Sequence, residues 1–115
     1  MHEYHVVEGI VKQAIQAARM NNALRVIKIM LSIGGFSGFE EGSVRLYFED
    51  LSKGTIVEGA KLVAKAVKAE LRCEKCSTVF EYTRGEFNCP QCGSLAVPTE
   101  NSKKIYIETI EIEKR

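Results

Sequence analysis

Apolar side chains recur at helical spacing through the first twenty residues of the chain. The intervals are three and four residues, the repeat of an amphipathic helix, at Val7, Ile10, Val11, Ala14, Ile15 and Ala18. Glu3 lies near the predicted start, where negative charge favours the helix dipole, and Arg19 lies near the end. Because Asn21 and Asn22 follow, the pattern predicts a helix that ends at these residues.

Residues 23–35 alternate with the period of a strand. One face is wholly apolar, with Ile27, Ile29, Leu31 and Ile33. The other face is mixed, with Val26, Lys28, Met30 and Ser32. Since β-branched residues dominate and two glycines follow, this segment is predicted to be a strand that ends in a turn at Gly34–Gly35.

A second helical stripe follows in residues 37–54. Its apolar members are Val44, Tyr47, Phe48 and Leu51. Ser37 and Glu40 have the spacing of a capping box, and Gly54 occupies the place of the glycine that often follows a helix. The pattern therefore predicts a helix closed at both ends by its own sequence.

Two further segments give less direct patterns. In residues 60–72, alanines and evenly spaced basic residues favour a helix locally, whereas Val63, Val67 and Leu71 also fit one face of a strand. Near the end of the chain, residues 105 and 107 alternate as a strand, and residues 110 and 112 alternate in the opposite phase. We expect a strand there with a bulge or twist near Glu108–Thr109.

Composition limits the class of protein. The chain has 115 residues, 45% hydrophobic and 27% charged, with a net charge of +1, which predicts one soluble globular domain with or without a small appendage. Mixed charge argues against duplex DNA or an anionic membrane as partner. No apolar run approaches the roughly 20 residues that span a bilayer, and the first residues lack the pattern of a secretory signal. We therefore expect a cytoplasmic protein.

Four cysteines form the most specific motif. Cys73, Cys76, Cys89 and Cys92 make two Cys-x2-Cys pairs separated by twelve residues, the spacing of a tetrahedral thiolate site. In a reducing compartment metal ligation is favoured over two disulfides. Thiolate sites of this kind hold zinc or, as in rubredoxin-like electron carriers, iron. With four protein ligands a zinc ion has no open position, so its role would be structural.

The N-terminus offers a second metal site of different geometry. The α-amine of Met1, the amide nitrogen and imidazole of His2 and the amide nitrogen of Glu3 can form fused chelate rings around one ion. Four nitrogens in a plane suit Ni(II) or Cu(II). His2 is too bulky for the usual removal of Met1, so the amine is expected to remain in place. The alternative is that these residues form only a solvated terminus.

Several segments together resemble the HypA/HybF family of hydrogenase nickel-incorporation proteins. They are MHEYHVVEGIV at the start, IGGFSGFE after the first strand, the stretch FEDLSKGTIVEGAKL, and the cysteine pairs with CPQCG. The resemblance runs over essentially the whole chain. It implies an α+β fold in which two helices pack on a three-stranded sheet, with a small inserted zinc-ribbon-like domain. Residues 1–71 plus 99–115 would form the nickel-binding domain and residues 72–98 the zinc-binding domain.

The resemblance also implies a function and a site for each metal. Met1, His2 and Glu3 match the nickel motif, and the four cysteines match the zinc ligands. Glu40 and His5 are further candidates for the nickel site, although His5 stands where members usually carry a small or apolar residue. The implied role is delivery of Ni(II) to the large-subunit precursor of [NiFe]-hydrogenase with a GTPase partner, and in some bacteria also service to urease maturation. Residues 60–72 become a strand.

Other classes remain open from the residues alone. No nucleophile–base pair or open catalytic metal site is apparent, so we expect no enzyme activity. A zinc-ribbon module for nucleic acid or transcription machinery is the main alternative. Between residues 72 and 92, however, three basic residues are balanced by three acidic ones, whereas nucleic-acid binding favours an excess of cations. A rubredoxin-like electron carrier is the remaining alternative.

Overall fold

The computed structural model describes residues 2–114, without the side chain of His2. The elements in chain order are α1 (His2–Met20), β1 (Ala23–Gly34), α2 (Glu41–Ser52), β2 (Lys61–Val67), β3 (Glu70–Cys73), β4 (Val79–Glu81), β5 (Ala96–Pro98), α3 (Glu100–Lys103) and β6 (Ile105–Lys114). One sheet has the strand order β2-β1-β6 and the other β4-β3-β5. The predicted α+β class, with a separate cysteine-bearing sheet, is confirmed.

The chain divides into two compact units. The helix unit comprises Met1–Ser32, Phe39–Lys65 and Tyr106–Arg115, and the cysteine unit comprises Ile33–Gly38 and Ala66–Ile105. The predicted domain bounds, 1–71 plus 99–115 and 72–98, stay a prediction. Within the described residues, neither long helix is apolar enough over a sufficient length to cross a membrane.

The core of the helix unit lies between α1, α2 and β1. The buried apolar side chains are Val7, Ile10, Val11, Ala14 and Ala18 of α1, Ala23, Val26, Ile29 and Leu31 of β1, Val44 and Phe48 of α2, and Val57 and Leu62. The predicted stripe of α1 is therefore confirmed except at Ile15, which is half-buried. Burial of this stripe holds α1 against α2 and fixes the position of its amino end.

Burial in β1 does not follow the predicted apolar face throughout. Val26 is 2% exposed although it lies on the mixed face, whereas Ile27 on the apolar face is 39% exposed. The N–H of Val26 donates to the carbonyl of Ile56 at 3.2 Å, so the segment after α2 meets this part of the strand. From Ile29 onward the predicted face is buried.

The cap of α2 differs from the predicted capping box. Glu40 itself is the N-cap residue, and its carboxylate accepts hydrogen bonds from the N–H groups of Gly42 and Ser43. The hydroxyl of Ser37 instead donates to the carbonyl of Gly34 at 2.6 Å. The capping-box prediction was wrong because Ser37 closes the turn after β1, which leaves Glu40 to satisfy the first amides of the helix. Gly54, with φ of +77°, follows the helix as predicted.

Residues 60–72 are extended, as the family resemblance implied and as the local pattern did not, but the expectation of a single strand was wrong. They form β2 and β3, which belong to different sheets. Sheet pairing satisfies the backbone of both strands, and this overrides the helical preference of the alanines. β6 continues to Lys114, and Glu108 and Thr109 are exposed between half-buried isoleucines. This agrees with the predicted change of phase, and the bulge itself stays a prediction.

Candidate metal sites

The four cysteines converge in the cysteine unit. Their sulfur atoms all lie within 4.8 Å of one another. The Sγ atoms of Cys73 and Cys92 are 3.5 Å apart, and those of Cys76 and Cys89 are 3.6 Å apart. In a tetrahedral zinc–thiolate site the sulfurs lie about 3.8 Å apart, because Zn–S bonds are about 2.3 Å long. The cluster therefore fits one tetrahedral metal ion.

Two knuckles of the same design build the cluster. In the first, the N–H of Ser77 donates to the carbonyl of Cys73 at 2.9 Å; in the second, the N–H of Gly93 donates to that of Cys89 at 2.8 Å. Ser77 and Gly93 both have positive φ, 65° and 77°. The left-handed conformation is ordinary for glycine, which has no Cβ. Ser77 adopts it as well, at the equivalent place after the first Cys-x2-Cys pair.

Backbone amides also point at the buried sulfurs. The N–H of Cys76 donates to Sγ of Cys73, and the N–H of Gln91 donates to Sγ of Cys89, both at 3.4 Å. The first cysteine of each pair is buried and the second is exposed. Because thiolates are the metal-binding form, N–H groups aimed at sulfur favour the charge that the metal site requires.

Two hydroxyl residues that the sequence reasoning missed complete the site. Thr78 and Ser94 each stand two residues after the second cysteine of a pair. The hydroxyl of Thr78 lies 3.0 Å from Sγ of Cys76. Hydrogen bonds from its side chain and backbone lower the pKa of Cys76 to about 6. Backbone and side-chain hydrogen bonds from Ser94 likewise lower the pKa of Cys92.

The pKa of Cys73 is shifted in the opposite direction. Although the N–H of Cys76 favours its thiolate, burial and the neighbouring thiols of Cys92 and Cys76 raise the pKa of Cys73 above the ordinary cysteine value. Protons therefore leave Cys76 and Cys92 before Cys73. At neutral pH Cys76 would offer a thiolate to a metal ion, and the buried Cys73 would have to give up its proton to become a ligand.

Thr78→Val tests the contribution of the hydroxyl. Valine keeps the shape but removes the hydrogen bond, so the pKa of Cys76 should rise from about 6. A proton then competes with zinc at pH 7, and we expect roughly fivefold weaker zinc binding there, the effect of one hydrogen bond. The loss should shrink as pH rises towards 9, where the thiol ionises in either form. Chelator competition between pH 6 and 9 measures this, and a loss independent of pH would contradict it.

The N-terminal candidates lie at the start of α1. Met1 and the side chain of His2 are outside the described part of the chain, and the helix begins at His2 with Glu3 in its first turn. The predicted nickel ligands therefore stay a prediction. What the structure supplies is a rigid support, because the buried stripe of α1 begins at Val7, about one turn after Glu3.

The carboxylate of Glu40 is hydrogen-bonded to the start of α2. Its Oε1 accepts from the N–H of Gly42 at 3.0 Å, and its Oε2 accepts from the N–H and hydroxyl of Ser43 at 3.0 and 3.2 Å. These contacts lower the pKa of Glu40, the hydrogen bond from Gly42 most. The side chain thus has a structural role as the cap of α2, and a role as nickel ligand would compete with that cap.

His5 is exposed on the first turns of α1. Its Nδ1 lies 3.8 Å from Oε1 of Glu8, and 73% of its side chain is exposed. Its ring meets the edge of Tyr4, which in turn packs edge-on against Tyr47. This arrangement gives His5 a carboxylate neighbour on its own helix, and its role towards nickel stays a prediction.

Comparison with known proteins identifies the family. A family model described as hydrogenase/urease nickel incorporation, metallochaperone, HypA matches residues 1–112. The hydrogenase maturation factor HypA of Caldanaerobacter subterraneus subsp. tengcongensis is 40% identical over 98% of this chain and 100% of its own length. The Aquifex aeolicus factor of the same name is 31% identical over 98% of each chain.

Solved structures agree in fold. The solution structure of a HypA protein matches with a TM-score of 0.80 and 25% identity, covering 100% of this chain and 98% of that one. The solution structure of the nickel metallochaperone HypA from Helicobacter pylori matches with a TM-score of 0.77 over 98% of each chain, at 24% identity. The predicted family is confirmed by a match along nearly the full chain, and the protein belongs to the HypA family of nickel-incorporation metallochaperones.

Proposed function

We propose that the chain binds Ni(II) through Met1, His2 and Glu3 and delivers it to the large-subunit precursor of [NiFe]-hydrogenase in the cytoplasm. The four cysteines hold a structural zinc ion. A GTPase of the same maturation pathway assists the transfer, and urease maturation proteins are a further class of recipient. The cargo binds at the amino end of α1, whereas the zinc is enclosed by four protein ligands.

The observation that carries the nickel proposal is that α1 begins at His2. The first four N–H groups of a helix have no intrahelical acceptor. The amides of His2 and Glu3 are therefore not needed by the helix and can act as ligands. Helix formation and nickel binding do not compete for these nitrogens.

Charge supports the same arrangement. Amide nitrogens that bind Ni(II) in a square-planar field lose their protons, and two deprotonated amides balance the charge of the ion. The positive end of the helix dipole favours such negative groups at its amino terminus. Glu3 adds a carboxylate in the first turn of α1. The helix end thus stabilises the ligands in the form that nickel requires.

Nickel titration of His2→Ala tests the proposal. Loss of the imidazole should weaken nickel binding by at least about a hundredfold. Removing a residue that only hydrogen-bonds to a metal ligand already weakens metal binding about 10- to 100-fold. Gln16→Ala, which removes an exposed polar side chain from the same helix, is the control and should stay within about two- to threefold of wild type. If His2→Ala binds nickel like wild type, the site is elsewhere.

Acidification gives an independent expectation. A ligating imidazole must be neutral, and the unperturbed imidazole pKa is about 6.5. Nickel affinity should therefore fall as pH is lowered through this region. The fall should be steeper than one imidazole alone would cause, because the ligating amide nitrogens must also lose their protons. Titrations between pH 5.5 and 8 measure it, and a nickel affinity that stays constant across this range would contradict nitrogen ligation.

A further inference from the structure

The sheet of the cysteine unit has two different faces. In β3, Leu71 pairs with Phe80 and Pro98, and Cys73 pairs with Ala96. Leu71 and Cys73 are fully buried, so this face lies over the core of the unit. The side chains that alternate with them project from the opposite face. That second face has no part in the cysteine cluster.

An arginine stands at the centre of the second face. Arg72 pairs with Val79 of β4 and with Val97 of β5. Side chains opposite one another across a sheet lie on the same face with Cβ atoms about 5 Å apart. Val79 is 51% exposed and Val97 is 36% exposed. Leu95, two residues before Val97, is 67% exposed and extends the apolar surface. We call these four residues the Arg72 face.

Arg72 has no acidic partner within the described residues, and the two acids beside it are engaged. Glu81 forms an ion pair with Lys68 at 3.2 Å. Glu70 accepts a hydrogen bond from the hydroxyl of Thr99 at 3.3 Å. The guanidinium is therefore free to pair with a group from another molecule, and an exposed valine lies across from it on each neighbouring strand.

We propose that the protein that receives nickel docks on the Arg72 face. It would do so through a patch of its own surface in which aliphatic side chains surround a carboxylate. Covering Arg72 with a purely apolar surface would leave a buried charge unpaired, which is strongly unfavourable. A carboxylate from the partner satisfies the guanidinium in bidentate fashion. The valines and Leu95 then lose their exposed apolar area to the partner.

Symmetry argues against a second copy of this chain as the occupant. In a two-fold interface the residue at the centre meets its own copy. Two Arg72 side chains would then face each other without an acid between them. The pairing with a carboxylate-bearing partner has no such conflict.

The inference rests on the proposed function, because the partner is the acceptor of the cargo. The ligands of the N-terminal site must leave the ion during transfer, so they cannot also hold the acceptor in place. A docking surface elsewhere on the chain keeps the two proteins together while the ion changes ligands. The Arg72 face is suited to this since no described residue pairs with its central charge.

Affinity for the purified large-subunit precursor tests the proposal. Arg72→Glu should weaken binding at least about tenfold, as for the central anchor of an interface. Val79→Thr combined with Val97→Thr should cause a loss of similar size while keeping strand propensity. Arg84→Glu, an exposed arginine of the same unit outside this face, should stay within about two- to threefold of wild type. Zinc content and amide spectra confirm that each variant is folded.

The outcomes separate this inference from the nickel proposal. His2→Ala should lose nickel and keep its affinity for the precursor, whereas Arg72→Glu should keep nickel and lose the precursor. Unchanged precursor binding by the Arg72 and valine variants would overturn the docking proposal alone. It would also be overturned if wild type failed to bind the precursor, or if sedimentation showed that the face joins two copies of this chain.

Discussion

Cys73→Ser is expected to release the metal and disorder the cysteine unit while the helix unit stays folded. Cys73 is fully buried, and its sulfur lies 3.5 Å from that of Cys92. The variant leaves three thiolates and a hydroxyl that binds zinc poorly. Structural zinc contributes an apparent 10–16 kcal/mol in zinc-finger peptides, roughly. The free energy lost with the metal is therefore larger than the apolar packing of so small a module can supply.

The small core of the cysteine unit is the reason for expecting it to depend on a metal. Its buried apolar residues are Ile33, Leu71, Cys73, Cys89 and Ala96, so the ligands form much of the interior. Small modules with such cores need a metal or disulfides to fold. The helix unit has a larger apolar core from α1, α2 and β1, and none of it comes from the cysteines.

Amide spectra of Cys73→Ser measure the prediction residue by residue. Resonances of residues 73–92 should collapse to the range of an unfolded chain, and those of α1 and α2 should keep their dispersion. Removal of the bound metal from wild type by a chelator should reproduce the pattern. The extent of the collapse also tests the predicted bounds 72–98. Unfolding of the whole chain would show that the two units are not independent.

Gly34→Ala is expected to destabilise the protein by about 3 kcal/mol or more. A Cβ at Gly34 would lie against the carbonyl oxygen of Ser102 and 2.8 Å from that of Asn101. The backbone cannot move away easily, because the N–H of Gly34 donates to the carbonyl of Lys104 at 2.9 Å. Overpacking of this kind costs about 1–3 kcal/mol when the neighbours can shift and more when they are backbone.

Gly9→Ala provides the matched control. Gly9 lies in α1, and a Cβ there would have nothing within 4 Å. The same substitution should therefore stabilise the protein by about 0.5–1 kcal/mol, through the higher helix propensity of alanine. Urea unfolding of both variants measures the contrast. Equal effects of the two substitutions would contradict the close approach of Ser102 to Gly34.

The helices were predictable because their patterns are local. The stripe of α1 and the glycine after α2 follow from spacing alone, and the structure has both. Capping was less predictable, since Ser37 and Glu40 have the right spacing for a capping box but Ser37 bonds to Gly34 instead. A sequence pattern records which residues can cap a helix, and tertiary structure decides which of them is placed to do so.

Residues 60–72 show where local reasoning fails. Alanine and lysine favour a helix in isolation, yet the segment pairs in two sheets. Strand formation here depends on partners that are distant in the sequence, and no local pattern contains them. The same holds for Val26, which is buried and whose N–H donates to the distant carbonyl of Ile56. The resemblance to a family supplied the strand because it carries information about the whole fold.

The cysteine cluster was predictable because coordination imposes spacing on the chain. The two Cys-x2-Cys pairs indicated four sulfurs around one ion, and the structure brings all four together. The hydroxyls of Thr78 and Ser94 were missed, since one threonine or serine near a cysteine has no meaning alone. Their equal offset from Cys76 and Cys92 is the signal that could have found them.

Nickel titration of the untagged protein against a form extended by a few residues before Met1 tests the central claim most directly. The extension removes the α-amine from Met1 and leaves every side chain in place. We expect the untagged protein to bind one Ni(II) and the extended form to lose that site, with binding restored when a protease cuts the extension back to Met1. Intact mass confirms each terminus. Full nickel affinity and stoichiometry in the extended form would contradict the account.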